Sequence, residues 1–349
     1  MLKVFIAKDD LRFLELDLMF QGVNTNINLD TYQRLTSCNG LFLELEKSGN
    51  ETRVKVNVNP NSSYFLWQEN NSLFLMDEQG QELVDEVRRK GSKIKSDIFA
   101  PQLEGIVAIG LYNCAIPDLE KCGFCASLDY SGLKYSTDEF EAEFDRVNEV
   151  EAIKAITVNA GSLIERSDRG YGAMAPYVRI LRDKGVQEIN LELMPPDMDQ
   201  ENLQNLLYEI RDDGVTSIQF NLEVWDPELR VEVMPYKGAI PTSVYLDTIT
   251  EASEVFGPGK VSSVLMAGLN DSESLREGAF AVIDAGGVPS IEPFRPLKGT
   301  PMENWSPDIN YKEVIELTRD IVGELQQRYG SNIMGDLEGC LKCGGCNIY

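Results

Sequence analysis

The chain has 349 residues, 43% of them hydrophobic and 26% charged, which suits a globular protein with one large domain or two ordinary ones. Its formal charge of −25, from 57 acidic and 32 basic residues, argues against nonspecific binding to nucleic acid or to an anionic membrane. It contains no histidine, which excludes Ser-His-Asp and Cys-His machinery and His-ligated zinc catalysis within this chain.

The opening stretch, MLKVFIAKDDLRFLELDL, is broken by charges too early for a secretory signal. No apolar run approaches the roughly 18 residues that span a bilayer. The expected location is therefore cytoplasmic, with no membrane and no nucleic-acid partner. Residues 1–100 show short alternating runs, such as 52–58 (TRVKVNV) and 62–67 (SSYFLW), between Asn/Gly/Pro-rich turns. Period-two alternation of this kind predicts a small β-rich N-terminal domain. Residues 82–90 (ELVDEVRRK) read as a short helix ending at Gly91, and the Lys/Ser segment to Pro101 as a linker. Cys38 reads as a small buried hydrophobe.

From Gly105 the rhythm changes. Strands are expected at 105–112, 154–160, 187–193, 216–223, 260–267 and 287–293. Amphipathic helices are expected near 138–152, 174–184, 200–212, 243–256, 272–285 and 311–328. Such alternation predicts an α/β fold with a parallel sheet and crossover helices. Six repeats suggest a partial (β/α)6 TIM-like barrel over 101–310, followed by a C-terminal helix and tail over 311–349. A doubly wound sheet is the alternative, but no GxGxxG opens the first helix.

Seven cysteines fall into two tight groups and one outlier, Cys38. Cys114, Cys122 and Cys125 follow the first apolar strand, and Cys340, Cys343 and Cys346 lie in the tail at two-residue spacing. Close spacing and an odd count read as metal ligation in a reducing compartment rather than as disulfides. Three thiolates on one strand-to-helix loop can hold three irons of a [4Fe–4S] cluster and leave the fourth open to a small molecule. Zinc would want a fourth Cys or His ligand; three buried thiols are the remaining alternative. The tail group would need a second half to make a zinc ribbon.

Three cysteines after the first strand, with Phe124 before the last of them, resemble the radical S-adenosylmethionine superfamily. Its usual spacing is Cys-x3-Cys-x2-Cys, whereas the first gap here is seven. The stretches 220–230 (FNLEVWDPELR), 257–268 (GPGKVSSVLMAG) and 293–301 (PFRPLKGTP) resemble its biotin synthase-like branch, which includes lipoyl synthase, the hydrogenase maturation enzymes and methylornithine synthase. The resemblance covers about 105–305.

It implies S-adenosylmethionine at the open iron of the first cluster and a 5′-deoxyadenosyl radical that abstracts hydrogen. At 159–162 (NAGS) the family often has Gly-Gly-Glu around the methionine amino group; the glutamate is absent here, so backbone carbonyls or Ser162 would serve. Glu192 would hold ribose hydroxyls, Asn221 and Glu223 would face the same way at the end of strand four, and Arg230 would take the methionine carboxylate. Alternatively, Glu192 and Glu223 are solvated rim carboxylates and Arg230 is a surface helix residue.

Auxiliary clusters are common in that superfamily, so the tail cysteines imply a second iron–sulfur cluster, completed by an open iron, by Cys38 or by an Asp such as Asp336. The tail is expected to fold over the barrel mouth at the C-terminal strand ends. The implied partners are a small-molecule or cofactor-precursor substrate and reduced ferredoxin or flavodoxin as electron donor. The implied reaction is sulfur insertion or carbon-skeleton rearrangement. The alternatives are a radical methyltransferase and an iron–sulfur carrier that never cleaves S-adenosylmethionine. A cobalamin domain with Asp-x-His-x-x-Gly cannot exist without histidine.

Overall fold

A computed structural model describes residues 11–27, 40–70, 72–127 and 129–347. Cys38 and the first ten residues lie outside this set. The N-terminal part comprises helix α1 (Leu11–Gln21) and strands β1 (Asn24–Thr25), β2 (Gly40–Lys47), β3 (Asn50–Asn57), β4 (Phe65–Glu69), β5 (Ser72–Met76) and β6 (Glu86–Lys90). These make two three-stranded sheets, ordered β1-β4-β5 and β3-β2-β6.

Residues 86–90 are thus a strand, not the end of a helix. Val87 is buried, while Arg88 and Lys90 reach across to Glu44 on β2 at 3.0 and 2.9 Å. Opposite charges on neighbouring strands stabilise the pairing, and a helix would have lost those partners. The expected linker is also structured. Ile94 and Phe99 are buried, Phe99 packs on Phe140 and Phe144, and β7 (Ala100–Leu103) starts the next sheet.

That sheet is an α/β half-barrel of seven strands among the described residues, ordered β13-β12-β11-β10-β9-β8-β7. β7 is antiparallel to β8 (Ile106–Gly110). From there β9 (Ala155–Asn159), β10 (Glu188–Glu192), β11 (Ser217–Gln219), β12 (Val261–Ala267) and β13 (Val288–Pro293) run parallel, each beside its predecessor. The crossover helices are α2 (Thr137–Val150), α3 (Tyr171–Asp183), α4 (Gln200–Asp213), the short α5 (Pro227–Val233) and α6 (Pro235–Gly238), α7 (Thr242–Phe256) and α8 (Ser272–Asp284). After β13 come α9 (Tyr311–Tyr329) and a last turn, α10 (Cys340–Cys343).

Helix starts follow side-chain chemistry. Ser136 and Glu139 form a reciprocal capping box on α2, and Asp199, Asp226, Asp271 and Asn310 cap α4, α5, α8 and α9. One face of the parallel strands, including Ile156, Val158, Ile189, Leu191 and Ile218, packs against the helices. A second core joins Leu16, Leu43 and Val54 of the N-terminal part to Leu265, Ile321 and Leu325, and to Leu337 and Leu341 of the tail. Among the described residues no helix is long and apolar enough to cross a membrane.

Two carboxylates are buried on α1. Asp17 accepts hydrogen bonds from Tyr311 (2.8 Å), Gln21 (2.6 Å) and Tyr64. Glu15 accepts from Thr52 (2.7 Å) and pairs with Arg12, yet burial pushes its carboxyl up to about 7. Raised above its unfolded value, this group makes a contribution to stability that is full below about pH 4.5 and is lost as pH rises through about 7. Glu15→Gln should therefore gain about 2–3 kcal/mol over the parent at pH 8 compared with pH 4. Urea unfolding at the two pH values measures the difference; an equal effect at both would refute the assignment.

Candidate functional site

Side chains alternate along the parallel strands, so the face turned away from the helices carries Thr157, Asn159, Glu188, Asn190, Glu192, Ser217, Gln219, Ser262, Ser290 and Glu292. This concave face is polar. Ser217 donates to Asn190 at 3.0 Å and Ser262 to Gln219 at 3.3 Å, so neighbouring strands satisfy one another.

At the C-terminal strand ends the first cysteine loop is tied to the segment after β9. Leu111 N–H donates to Asn159 O, Gly161 N–H to Tyr112 O and Ala115 N–H to Ser162 O, all at 3.0 Å. The Cys114 thiol lies 3.9 Å from the same Ser162 carbonyl. A Cβ on Gly161 would come within 2.1 Å of Cys114 N, so only glycine permits this approach. Ser162 is thus beside Cys114, with its hydroxyl 3.7 Å from the Met194 sulfur.

Cys122 and Cys125 sit on a tight turn, where Cys125 N–H donates to Cys122 O at 3.0 Å and Ser127 N–H to the Cys125 sulfur at 3.4 Å. Gly123 N–H donates to Val233 O (2.7 Å), and Met302 N–H to Gly123 O (3.1 Å). Cys122 and Phe124 pack on an apolar cluster of Val224, Val233, Met234, Leu269, Phe294 and Met302. Burial pushes the Cys122 thiol up to about 12, against the pull of Lys237. Cys125 is exposed.

Glu223 is no solvated rim residue. It is 8% exposed, with φ +67, a left-handed conformation that side chains other than glycine adopt rarely. Its backbone is held by Val264 O, Met266 N–H and Asn270 Nδ2. Its carboxylate lies 3.4 Å from Lys237 Nζ, and both side chains are largely buried. Burial opposes the Lys237 charge, but Glu223, Tyr245 and Cys122 outweigh it and raise its affinity for the proton. The only sequence signal of Lys237 is that it is a lone lysine in an otherwise uncharged stretch, 234–241 (MPYKGAIP).

Asn221 accepts from Val264 N–H (3.1 Å) and Gln219 Nε2 (2.7 Å), so its carbonyl oxygen braces the strand end. Arg230 is neither a surface residue nor turned to the mouth. It is 1% exposed, and its guanidinium donates to Val224 O, Ile240 O and Thr242 Oγ1.

The tail does not arrive over the mouth. Glu338 accepts from Thr216 (2.5 Å) and Lys260 (2.5 Å), residues that stand immediately before β11 and β12. The tail therefore enters the half-barrel at the N-terminal strand ends. Lys342 pairs with Glu188, and Gly345 O accepts from Lys55 N–H of β3 (2.9 Å). Cys340 reaches the middle of the concave face, where its thiol is 4.0 Å from Thr157 and donates to Glu192 at 3.4 Å. Burial, with Glu192 and Glu292 nearby, pushes this thiol up strongly. Glu192, held up to about 6 by burial, also accepts from Asn159, the last residue of β9. Asp336 offers its backbone carbonyl to Lys260 at 3.0 Å.

The six described cysteines are free thiols. Both triplets fit an iron–sulfur group by donor chemistry. Around the tail, Asn190 Nδ2, Asn347 Oδ1 and Glu188 Oε2 are buried polar atoms without partners, consistent with a polar group still to be accommodated. Among the described residues no three Cys, Asp or Glu side chains converge on one metal position, so any cluster would draw the thiols together.

No protein-family model matches the chain, and no curated protein does. Among solved structures it is similar to HydG, a maturase of the [FeFe]-hydrogenase, at 15% identity over 65% of this chain and 50% of that one, with a TM-score of 0.48. It is similar to methylornithine synthase (PylB) at 16% identity, covering 69% of each chain, TM-score 0.48. A radical SAM methyltransferase from Sphaerobacter thermophilus matches at 16% identity over 77% of this chain and 76% of that one, TM-score 0.48. The chain spans half the length of HydG. At this level of likeness none of the three bears on what this chain does.

Gly161→Ala should cost about 1–3 kcal/mol, the range for forcing a methyl into a closed contact. A thermal unfolding midpoint equal to that of the parent would show that the segment yields freely.

Proposed function

We propose that the chain is a radical S-adenosylmethionine enzyme of the biotin synthase-like kind. The observation that carries this reading is the position of Cys114, Cys122 and Cys125 at the C-terminal end of the first parallel strand of a (β/α)6 half-barrel, tied to the end of the second. In this fold the strand C-termini are where residues from several loops can converge. Those three cysteines would hold three irons of a [4Fe–4S] cluster and leave the fourth to S-adenosylmethionine. When bound, the pair supplies one-electron cleavage of the sulfonium and a 5′-deoxyadenosyl radical.

The chain's own residues orient and enclose. Ser162 stands beside Cys114, where the methionine end would lie. Glu223 and Lys237 form a buried ion pair near Cys122, and Lys237 rather than Arg230 is the cation turned to that region. Asn159 and Glu192 carry the polar face inward from the mouth. Cys340, Cys343 and Cys346 would hold a second iron–sulfur group, with Cys340 against Glu192 on the concave face of the same sheet. That arrangement supports a role for the tail in the reaction, as sulfide source or substrate anchor, in sulfur insertion or carbon-skeleton rearrangement. The substrate would be a small molecule or cofactor precursor, and the electron donor reduced ferredoxin or flavodoxin, reaching the loop at exposed Cys125.

Anaerobic reconstitution with iron and sulfide, then incubation with S-adenosylmethionine and dithionite, tests this. The parent should release 5′-deoxyadenosine, whereas Cys114/Cys122/Cys125→Ala should release none and keep only the iron of the tail. S-adenosylhomocysteine as product would point to a methyltransferase, and a reduced cluster with no cleavage to a carrier. Cys340/Cys343/Cys346→Ser should lose iron yet still cleave S-adenosylmethionine; an unchanged iron content would remove the second cluster from the reading.

A further inference from the structure

Arg230 is a full charge buried to 1%, bonded to two backbone carbonyls and one hydroxyl. Burying a guanidinium is costly unless its N–H groups are hydrogen-bonded, and here Nη1 and Nη2 are, while Nε has no partner. The acceptors are informative. Val224 follows Glu223 directly, Ile240 lies three residues after Lys237, and Thr242 opens α7. One side chain therefore joins the strand end that carries Glu223 to the turn that carries Lys237. The clamp is tight at its centre, where a Cβ on Gly238 would lie 2.5 Å from Arg230 O. Tyr245, under the guanidinium at 5.8 Å, donates to Lys237 O at 3.4 Å. The first cysteine loop joins the same unit, because Gly123 N–H donates to Val233 O at the end of α5.

We propose that Arg230 is a positioning residue, and that the Lys237 ammonium it fixes beside Cys122 raises the reduction potential of the iron–sulfur group held by the first cysteine loop. The inference rests on the function proposed above. Reduction adds one electron to a group already negative through its three thiolates. A buried cation stabilises that added charge and a buried carboxylate opposes it, because neither is screened by solvent. Cys122 packs on Val224, next to Glu223, and on Val233 and Met234, which lead directly into α6 with Lys237, so the Glu223–Lys237 pair, closed at 3.4 Å, lies against the cysteine loop. The two charges of the pair must therefore move the potential in opposite directions.

The experiment uses the full-length chain carrying Cys340/Cys343/Cys346→Ser, so that one cluster is observed, reconstituted and titrated with dithionite while electron paramagnetic resonance follows reduction. Lys237→Met should shift the midpoint to more negative values and Glu223→Gln to more positive ones, with Lys237→Arg close to the parent. Arg230→Met should shift it in the same direction as Lys237→Met, and Arg230→Lys should restore part of the difference. Midpoints that stay together across the series overturn the inference, even if Arg230→Met lowers the thermal unfolding midpoint, since that is what a purely structural role would give. If the parent with the first cysteines intact shows no iron–sulfur signal, the functional reading itself fails, and the inference fails with it.

Discussion

The concave face of the half-barrel is the constraint on which the rest of the structure depends. A parallel sheet is normally covered on both sides, and here the inner side carries amides, hydroxyls and carboxylates that lose free energy if buried without partners. The tail supplies the cover. Glu338 joins Thr216 and Lys260, Lys342 joins Glu188, and Cys340 joins Glu192. The N-terminal strands then close over the tail through Lys55, which also reaches Gln102 of β7 at 3.0 Å and accepts from Arg295 after β13. The three parts of the chain form one polar and apolar stack, which is why Leu43 and Leu341 share a core.

Much of the barrel was legible because its determinants are local. The apolar run 155–158 and the alternating 188–191 mark strands, and the helix starts expected near 138, 200 and 272 fall within a residue of the observed Thr137, Gln200 and Ser272. Residues 82–90 misled because Leu83, Val84 and Val87 have helical spacing, whereas the deciding contacts, Arg88 and Lys90 to Glu44, are more than 40 residues away. Phe99 looked like part of a linker for the same reason: its partners Phe140 and Phe144 lie beyond the cysteine loop.

The cysteines were legible as sets, but their surroundings were not. Nothing in the tail's spacing says which end of a barrel it enters; that is decided by Thr216 and Lys260, which look like ordinary turn residues. Arginine is the usual partner of a carboxylate, yet the partners of Arg230 are two backbone carbonyls and a threonine hydroxyl. Lys237 escaped notice because its importance comes from Glu223, fourteen residues earlier, whose unusual backbone conformation directs the carboxylate toward it.

A consequence of this arrangement is that both cysteine sets are referred to one rigid sheet. Cys114 is fixed to the residues after β9 through Ser162, and Cys340 to the inward face of β9 and β10 through Thr157 and Glu192. Asn159, hydrogen-bonded to Glu192, stands between them. Their separation is therefore set by strand register rather than by loop conformation, and register slips are costly because each one turns every side chain to the opposite face. Loops can adjust around such a frame while Cys114 and Cys340 keep neighbouring strands as their reference. A reaction that drew on both sets would depend on that shared register more than on the exact path of the tail.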